Sequence, residues 1–508
     1  MRRPLTYILL LSTVSAVAVV LLHGCDTLDK NPGVYCDTNA DCKEAAYPIC
    51  DIPDHTCLSQ TDGGRPGDGG VDMAGCTSSA GCGDQAPICA APACRACASS
   101  ADDTECGKHS AATPRCGAAG ACVACRVATQ AQDCMAAAAP VCDATTSACR
   151  GCQAHSECAS GVCKAGGICA SSSEVLYVNN NAGKGCMAAG PGTTASPFCE
   201  VQAAALAAVT GSKPYVVVGG SSTAYAGVSL TATASAIGPL TIVGPGRNAT
   251  PTAQLAQAAV PALAVATSGS NLTVTVDGLD LRGAGTPTPS AGVKCSVVTT
   301  GTPTLTVRNS IIQQSGAAGV DSSSCTVSLD GNVIGPSNTG GGLSLAGGSF
   351  TVSNNLIVAN GTTAPGVVLS GTFSSTLWWF NTVAGNLRTG GQAGGFNCGG
   401  VLSGAPLIQA STIWGNTQAA GSSVGTGCNF TYVDIDDTTT PTGAGNFNQD
   451  PLFVSASNYR IQTGSPCKDK VTSATGLTGG TLPNHDVDNN KRPRAATGGY
   501  DCGASQAQ

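Results

Sequence analysis

Beyond Val175, the sequence repeats a short β-branched segment at intervals that suit the turns of a solenoid. An inward apolar position recurs at six places, separated by 30, 22, 24, 26 and 30 residues: Leu281, Ile311, Val333, Ile357, Val383 and Ile413. Coils of this length stack on their neighbours and bury a common core, which a single coil could not do alone. The repeat therefore predicts a quasi-one-dimensional β-solenoid.

Polar residues recur at fixed distances from this apolar position. Two residues before it stand Asn309, Gly331, Asn355, Asn381 and Ser411, and three residues after it stand Asn360, Asn386 and Asn416. Stacking at the strand spacing of ~4.8 Å places like residues above one another, so that amide side chains bond along a ladder. Asparagine also tolerates the left-handed turn between strands. An immunoglobulin-type sandwich would instead show hairpin turns without these columns.

The composition fits a narrow, repetitive architecture better than a broad core. Only 11% of the residues are charged and 4% are aromatic, whereas glycine occurs 67 times. The net charge of −7 and the pI near 5.2 provide no basic stripe for phosphates. We therefore expect no nucleic acid among the partners of this chain.

The first 25 residues have the order of a secretory signal. Arg2 and Arg3 precede an apolar run over residues 8–22, and the segment ends in Leu22-His23-Gly24-Cys25. This ending resembles the lipobox of bacterial lipoproteins. The resemblance implies that residues 1–24 are a cleaved signal peptide, that Cys25 is lipidated, and that residues 25–35 are a tether anchored in a membrane. An uncleaved signal anchor is the alternative.

The 29 cysteines support export independently. Apart from Cys25, twenty lie between Cys36 and Cys169 and eight between Cys186 and Cys502, and even numbers are typical of disulfide pairing. Disulfides require an oxidising compartment. We therefore expect the chain in the outer membrane or on the cell surface, with the periplasmic leaflet left open.

The first group of cysteines predicts a small disulfide-rich repeat region. Residues 36–57 hold a first repeat, residues 58–75 a linker rich in Gly, Pro and Asp, and residues 76–170 further repeats that end in Cys-x-x-Cys. The pairs Cys94/Cys97, Cys122/Cys125 and Cys149/Cys152 would also suit zinc knuckles. Disulfides are favoured because the compartment is oxidising.

Two stretches beyond residue 175 resemble known β-helix families. The segments Leu176-Tyr177-Val178, Ser196-Pro197-Phe198 with the helical pattern after it, and Tyr215-Val216-Val217-Val218 resemble the opening of pectin-lyase-like proteins. The segments Asp450-Pro451-Leu452-Phe453, Asp486-Val487-Asp488-Asn489-Asn490-Lys491-Arg492-Pro493 and Gly499-Tyr500-Asp501-Cys502-Gly503-Ala504 resemble the end of a choice-of-anchor family of bacterial surface proteins. The resemblance implies an all-β, right-handed parallel β-helix over residues 175–508 with a C-terminal cap.

Proximity in sequence then suggests four disulfides within the β-helix, although other connectivities remain open. The suggested pairs are Cys186 with Cys199, Cys295 with Cys325, Cys398 with Cys428, and Cys467 with Cys502.

Polysaccharide lyases and hydrolases occur on this fold, but the chain offers few groups for catalysis. Between Pro214 and Arg460 there is neither His nor Glu. Arg308 and Asp330, which lie 22 residues apart in adjacent coils, are weak catalytic candidates, as are Asp434 and Asp436. Ordinary surface ion pairs and solvated strand edges explain the same residues.

Two further patterns concern ligands. Asp486, Asp488 and Asn490 have the spacing of a calcium loop, but Lys491 stands where glycine is required, so that a structural turn is favoured. Calcium is the one cofactor left open. Strand alternation directs Trp378 or Trp379 outward, and together with Trp414 these rings are candidates for stacking on sugars.

The favoured function is a non-catalytic cell-envelope lipoprotein that displays its β-helix for adhesion or for recognition of a glycan or protein. A calcium-dependent polysaccharide lyase or glycoside hydrolase is one alternative, and a purely structural envelope protein is the other. The expected partners are the membrane, through the lipid anchor, and a polysaccharide or an envelope protein.

Overall fold

The computed structural model describes residues 30–35, 49–51, 56–58 and 76–507, except for residues 92, 233–237, 286–287, 391–392, 419–422, 438–440, 472–476 and 494–497. The predicted signal peptide, Cys25, most of the first repeat and the linker lie outside the described residues. Within these residues, no helix has the length and the hydropathy that crossing a bilayer requires. The chain divides into two compact units, residues 1–126 and 127–508.

The first unit consists of short antiparallel strands between turns. The described strands are Lys30–Tyr35, Ile49–Asp51, Thr56–Leu58, Ile88–Ala90, Ala93–Arg95, Arg115–Cys116 and Cys122–Val123. One α-helix covers Asp103–His109, and 3₁₀ turns cover Ser79–Gly81 and Ser100–Asp102. Repeats of this size hold too few apolar residues for a core of their own, so that disulfides must supply the stability.

The disulfides of the first unit join the first cysteine of a repeat to the third and the second to the fourth. The bonds are Cys76–Cys89, Cys82–Cys94, Cys97–Cys116 and Cys106–Cys122. Cys94 therefore closes one repeat and Cys97 opens the next, which corrects the prediction that Cys-x-x-Cys only ends a repeat. Because both sulfurs are in disulfides, this pair does not form a zinc knuckle.

The second unit opens with further repeats of the same kind. They contain the helix Gln130–Asp133, the 3₁₀ turns Val127–Thr129 and His155–Glu157, and the strands Val141–Cys142, Cys149–Arg150, Cys163–Lys164 and Ile168–Cys169. The disulfides Cys134–Cys149, Cys152–Cys163 and Cys158–Cys169 cross-link them. A 3₁₀ turn at Ser172–Glu174 leads into the solenoid.

The solenoid is a parallel β-helix, as the sequence predicts. It has about eight turns and three faces. Two faces are joined into one sheet, since the long strands Leu343–Ser353 and Val367–Trp379 run through both. The first face contains Val175–Val178, Tyr215–Val218, Leu240–Val243, Thr273–Asp277, Thr304–Arg308, Thr326–Asp330, Leu407–Gln409 and Asn429–Thr431. The second face contains Val228–Ala232, Leu263–Thr267, Val293–Val297, Val320–Ser323 and Phe396–Ser403.

The third face is a separate parallel sheet. Its eight described strands are Gln254–Ala256, Asp280–Arg282, Ile311–Gln313, Val333–Ile334, Leu356–Val358, Thr382–Ala384, Thr412–Trp414 and Asp434–Ile435. Two smaller pairs complete the described strands: Leu387–Arg388 with Thr417–Gln418, and Phe453–Ser455 with Asn458–Ile461.

The apolar column of the third face is wholly buried, but the predicted alignment is wrong by one residue in two coils. The stacked positions are Leu281, Ile312, Ile334, Ile357, Val383 and Ile413. Ile311 and Val333 therefore point outward. In all six coils a residue with positive φ lies three residues before the inward position, and Asn309 and Gly331, with φ angles of 49° and 65°, fill this place in the two misaligned coils. The predicted alignment counted only two residues from them.

Two asparagine ladders follow this column on either side. In the first, Asn332 Nδ2 donates to Asn355 Oδ1 at 2.9 Å, and Asn355 Nδ2 donates to Asn381 Oδ1 at 3.0 Å. The second ladder joins Asn338, Asn360, Asn386 and Asn416, with amide contacts of 2.8 to 3.1 Å. Asn332, rather than Gly331, occupies the predicted column, so that the buried amides of neighbouring coils satisfy one another.

The helix Val201–Thr210 covers the beginning of the stack, as the sequence predicts. It buries Val201, Ala204, Ala205 and Ala208 against the first coils. The Gln202 side chain bonds to both backbone groups of Ser229 in the first strand of the second face, at 2.6 and 3.2 Å. The helix thereby blocks an edge that would otherwise be open to pairing.

The last cysteine-rich repeat, residues 151–170, packs against the first face rather than standing apart from the solenoid. Val162 and Ala170 form a buried cluster with Val175 and Val243. The Tyr177 hydroxyl donates to the Ser160 carbonyl at 3.2 Å. The predicted domain boundary after residue 170 is therefore not a boundary between independent cores.

The predicted C-terminal cap lies along the side of the solenoid, across the third face. We call residues 450–507 the strap. Val487 and Ala504 of the strap form a buried cluster with Leu356, Val358 and Ala384 on the outside of the third face. The strap thus covers the outer side of a parallel sheet, which such sheets generally require.

Candidate functional site

Charged residues stand at the ends of three neighbouring strands of the first face. Asp277, Arg308 and Asp330 are direct partners in register. Arg308 and Asp330 are adjacent in the backbone register, as predicted, but the Arg308 side chain points toward Asp277 on the other neighbouring strand. Arg308 Nε donates to Asp277 Oδ2 at 2.6 Å, and no bond to Asp330 forms.

Two histidines from distant parts of the chain close on this charged row. His155 Nε2, in the last repeat, donates to Asp277 Oδ2 at 3.2 Å, and His485 Nε2, in the strap, donates to Asp330 Oδ2 at 2.9 Å. The partners lie 122 and 155 residues apart in the sequence. Neither contact was predicted, because no local pattern links residues at such distances.

Both carboxyl groups of this row are held in the ionised form. Burial pushes the pKa of Asp277 upward, but the hydrogen bond from His155 and the charge of Arg308 outweigh it, so that the pKa lies below its usual range. Burial also raises the pKa of Asp330, but hydrogen bonds from His485, Ser353 and Asn354 outweigh it, so that this pKa is lowered as well. A general acid needs a raised pKa, and neither group provides one.

Asp434 and Asp436 do not act together. Asp434 is 0% exposed beneath the strap, where its Oδ2 lies 3.7 Å from Cys467 Sγ, while Asp436 is exposed and accepts the backbone N–H of Gly415. The two candidates are separated because the two-residue strand Asp434–Ile435 ends between them and the strap covers only Asp434.

Burial raises the pKa of Asp434 to about 7, against the hydrogen bond from Gln449 N and the charge of Lys470. Since this pKa exceeds that of the unfolded chain, the folded state loses stability as the pH rises from ~4 to ~7. A carboxyl with this pKa could serve as an acid, but no substrate can reach a side chain that is fully covered.

The residues with calcium-loop spacing form a turn and an ion pair. Asp486 Oδ1 accepts the backbone N–H groups of Asp488 and Asn490 at 2.9 and 2.8 Å, and its Oδ2 accepts Gln506 N at 2.8 Å. Asp488 is engaged by Arg460 through two bonds of 2.5 Å. Hydrogen bonds from protein donors thus occupy the carboxylate oxygens of this segment.

Two of the three tryptophans are buried. Trp378 is 0% exposed and points into the solenoid, where its ring meets Phe396 edge to face at a centroid distance of 4.8 Å. Trp379 faces out of the coil, as alternation requires, but it is 2% exposed because Gly479 and Gly480 of the strap lie against its ring. Both are therefore excluded as stacking platforms, and Trp414 is half-buried.

The structure pairs the eight cysteines of residues 175–508 in the way that proximity suggests. The bonds are Cys186–Cys199, Cys295–Cys325, Cys398–Cys428 and Cys467–Cys502. The second and third each join one coil to the next, and the fourth lies within the strap.

Hydroxyl side chains cover the first face between the last repeat and the strap. They form two rows in register, which are Thr273, Thr304, Thr326, Ser349 and Ser375, and Thr241, Thr275, Thr306, Ser328 and Thr351. Ser349 donates to Thr326 at 3.0 Å, and the other eight hydroxyls bond to no group of the described residues. We call these ten residues the hydroxyl floor.

The hydroxyl floor is bounded at both ends. Tyr215 and Val217 pack under the last repeat at one end, and Leu377 packs beside Leu477 of the strap at the other. Along the axis the hydroxyls repeat at the strand spacing of ~4.8 Å, and across the face the rows lie two residues, or ~7 Å, apart. The floor is thus a regular, uncharged array of hydrogen-bond donors and acceptors.

Fold and face together define a parallel β-helix protein with a disulfide-rich repeat region. No protein-family model matches the chain, and neither does any curated protein. Among solved structures, the crystal structure of pectate lyase Pel9A is similar at 13% sequence identity and a TM-score of 0.33, with 66% of this chain and 96% of that chain covered. At this score the likeness carries no argument about chemistry.

Proposed function

We propose that this protein is a non-catalytic lipoprotein of the cell envelope, which recognises an uncharged glycan through the hydroxyl floor. The carrying observation is the array of eight hydroxyls that bond to no group of the described residues, on a sheet face that the last repeat and the strap bound at its two ends. Sugar hydroxyls require partners that both donate and accept, and threonine and serine do both. Four successive coils each supply a pair of hydroxyls, and the coil on either side of them supplies one.

The same observations weigh against a lyase or hydrolase. Arg308, the weak candidate for a lyase base, already donates to Asp277, and the two carboxylates beside it are engaged by His155 and His485. Paired charges of this kind stabilise packing between chain segments. The proposal therefore assigns the charged row to holding the last repeat and the strap in place.

Removal of two hydroxyls from the floor is expected to weaken glycan binding. The double variant Thr306→Val with Ser328→Ala removes two neighbouring hydroxyls with little change in side-chain volume. Each lost hydrogen bond to the glycan costs ~1 kcal/mol of binding free energy, so that the affinity should fall about tenfold or more. Retention of the purified chain on immobilised neutral and acidic polysaccharides measures the effect.

The matched control is Ser296→Ala with Ser323→Ala, which removes neighbouring hydroxyls from the second face. Equal retention of both double variants would refute the hydroxyl floor as the site. Release of reducing ends or of unsaturated uronides in the same assay would refute the non-catalytic proposal.

The anchor is tested separately. Cys25→Ala removes the acceptor of the lipid, and we expect the chain to move from the membrane fraction to the soluble fraction of the envelope, because acyl chains supply the attachment. Fractionation after a high-salt wash measures this. Persistence of the variant in the membrane would instead favour an uncleaved signal anchor.

A further inference from the structure

The strap is docked on the solenoid through non-covalent contacts. Its disulfide, Cys467–Cys502, joins two positions of the strap, and among the described residues no disulfide ties the strap to a coil. Apolar packing of Val487 and Ala504 supplies part of the attachment. Neutral hydrogen bonds add to it, such as those from Gly503 N to the Ala410 carbonyl and between the Gln409 side chain and Thr478. Charged side chains supply a further part, and this part can respond to pH.

Most of the charged contacts of the strap remain ionised over the ordinary pH range. Arg247 of the solenoid donates to the carbonyls of Gly331 and Val487 and to Asp488 Oδ1, the last at 3.2 Å. Arg460 holds the same carboxylate within the strap. Arginine does not lose its proton near neutrality, so that these contacts form a constant part of the attachment.

Two groups at the strap titrate near neutrality: Asp434 of the solenoid, whose pKa is about 7, and His485 of the strap. Both ring nitrogens of His485 face acceptors. Nε2 donates to Asp330 Oδ2 at 2.9 Å, and Nδ1 lies 3.1 Å from Asn484 Oδ1. Only the doubly protonated ring can donate from both positions. The hydrogen bond to Asp330 raises the pKa of His485, and the charges of Asp330 and Asp486 add to this effect. Burial and Arg492 lower it, and the pKa stays above the usual value for histidine.

We propose that His485 and Asp330 form a pH-dependent latch, which fastens the strap to the first face in mildly acidic surroundings and loosens it in alkaline ones. This inference goes beyond the proposed function and does not depend on it. An exported chain meets the pH of its surroundings directly, so that the state of the latch would follow the medium.

The direction of the effect follows from the two pKa shifts. The pKa of His485 is raised on docking, so its contribution is complete below the free value of ~6.5 and is lost as the pH rises through the docked value. The pKa of Asp330 is lowered, so its contribution is lost only as the pH falls below ~4. The latch is therefore closed from about pH 4 to 6.5.

Hydrogen–deuterium exchange of the full-length chain at pH 6 and pH 8 tests the latch without any ligand. After correction for intrinsic exchange rates, peptides around residues 484–492 should exchange about two- to tenfold faster at pH 8. Peptides from the buried strand Thr304–Arg308 should not change. In His485→Gln, which keeps a donor but cannot become charged, the difference between the two pH values should fall to the part that comes from Asp434, and Asp434→Asn should remove that part.

His155→Gln is the matched control. It removes the other imidazole–carboxylate contact of the same charged row, yet it leaves His485 in place, so that the pH response of the strap should persist. Exchange of residues 484–492 that is independent of pH in the unmodified chain, or a pH response that is undiminished in His485→Gln, would overturn the proposal.

Discussion

Replacement of Asn355 by alanine is expected to lower the free energy of unfolding by ~3–5 kcal/mol. The Asn355 amide accepts from Asn332 N and Nδ2 and donates to the carbonyls of Leu329 and Ser353 and to Asn381. Alanine would leave several buried polar groups of three coils without partners, and each unsatisfied group costs ~1–3 kcal/mol.

Thermal and denaturant unfolding of the purified chain measure this loss. Asn429→Ala is the control, because Asn429 is an exposed asparagine in the last coil whose side chain makes no hydrogen bond in the described part of the chain. If both variants unfold alike, the ladder contributes no more than a surface asparagine.

Loss of the last repeat is expected to destabilise the β-helix by a similar amount. A chain that begins at Gly151 keeps Cys152–Cys163 and Cys158–Cys169, whereas a chain that begins at Ser172 exposes Val175 and Val243. Full burial of an apolar side chain of this size contributes ~1.5–3 kcal/mol, so that the shorter chain should lose ~3–6 kcal/mol. The midpoint of urea unfolding compares the two chains.

A point variant separates this effect from truncation itself. Val162 is 0% exposed at the junction, and Val162→Asp should reproduce most of the loss because it places an unpaired charge there. Val298→Asp, at a position that is 61% exposed, is the control. If residues 172–508 were as stable as residues 151–508, the last repeat would be independent of the β-helix, in agreement with the predicted domain boundary after residue 170.

The periodic part of the fold could be predicted because stacked coils repeat their chemistry. An amide that bonds to an amide in the next coil requires asparagine at the same position of both coils. Asn355, Asn381 and Asn386 show this repeat in the sequence. The error of one residue arose where two β-branched residues adjoin, as at Ile311-Ile312. Alternation cannot decide which of the two points inward, and the positive φ of Asn309 decides it.

The candidate site was harder to predict because its contacts join segments that are distant in sequence. Alternation predicts that either Trp378 or Trp379 points outward, and Trp379 does, but the strap that covers it begins about seventy residues later. The partners of Arg308 and Asp330 were missed for the same reason. The outer surfaces that remain exposed are those that no other chain segment crosses. The segments that do cross the solenoid, such as the strap, have no periodic sequence pattern from which their position could be predicted.

The cross-coil disulfides have a mechanical consequence. A stack of coils that is pulled along its axis comes apart at its ends, one coil at a time, because each coil touches only its neighbours. Cys295–Cys325 and Cys398–Cys428 each close a loop of 30 residues between successive coils. Those loops cannot lengthen under load, so that a stretched chain would extend in unequal steps and stop at each bond until a reductant cuts it.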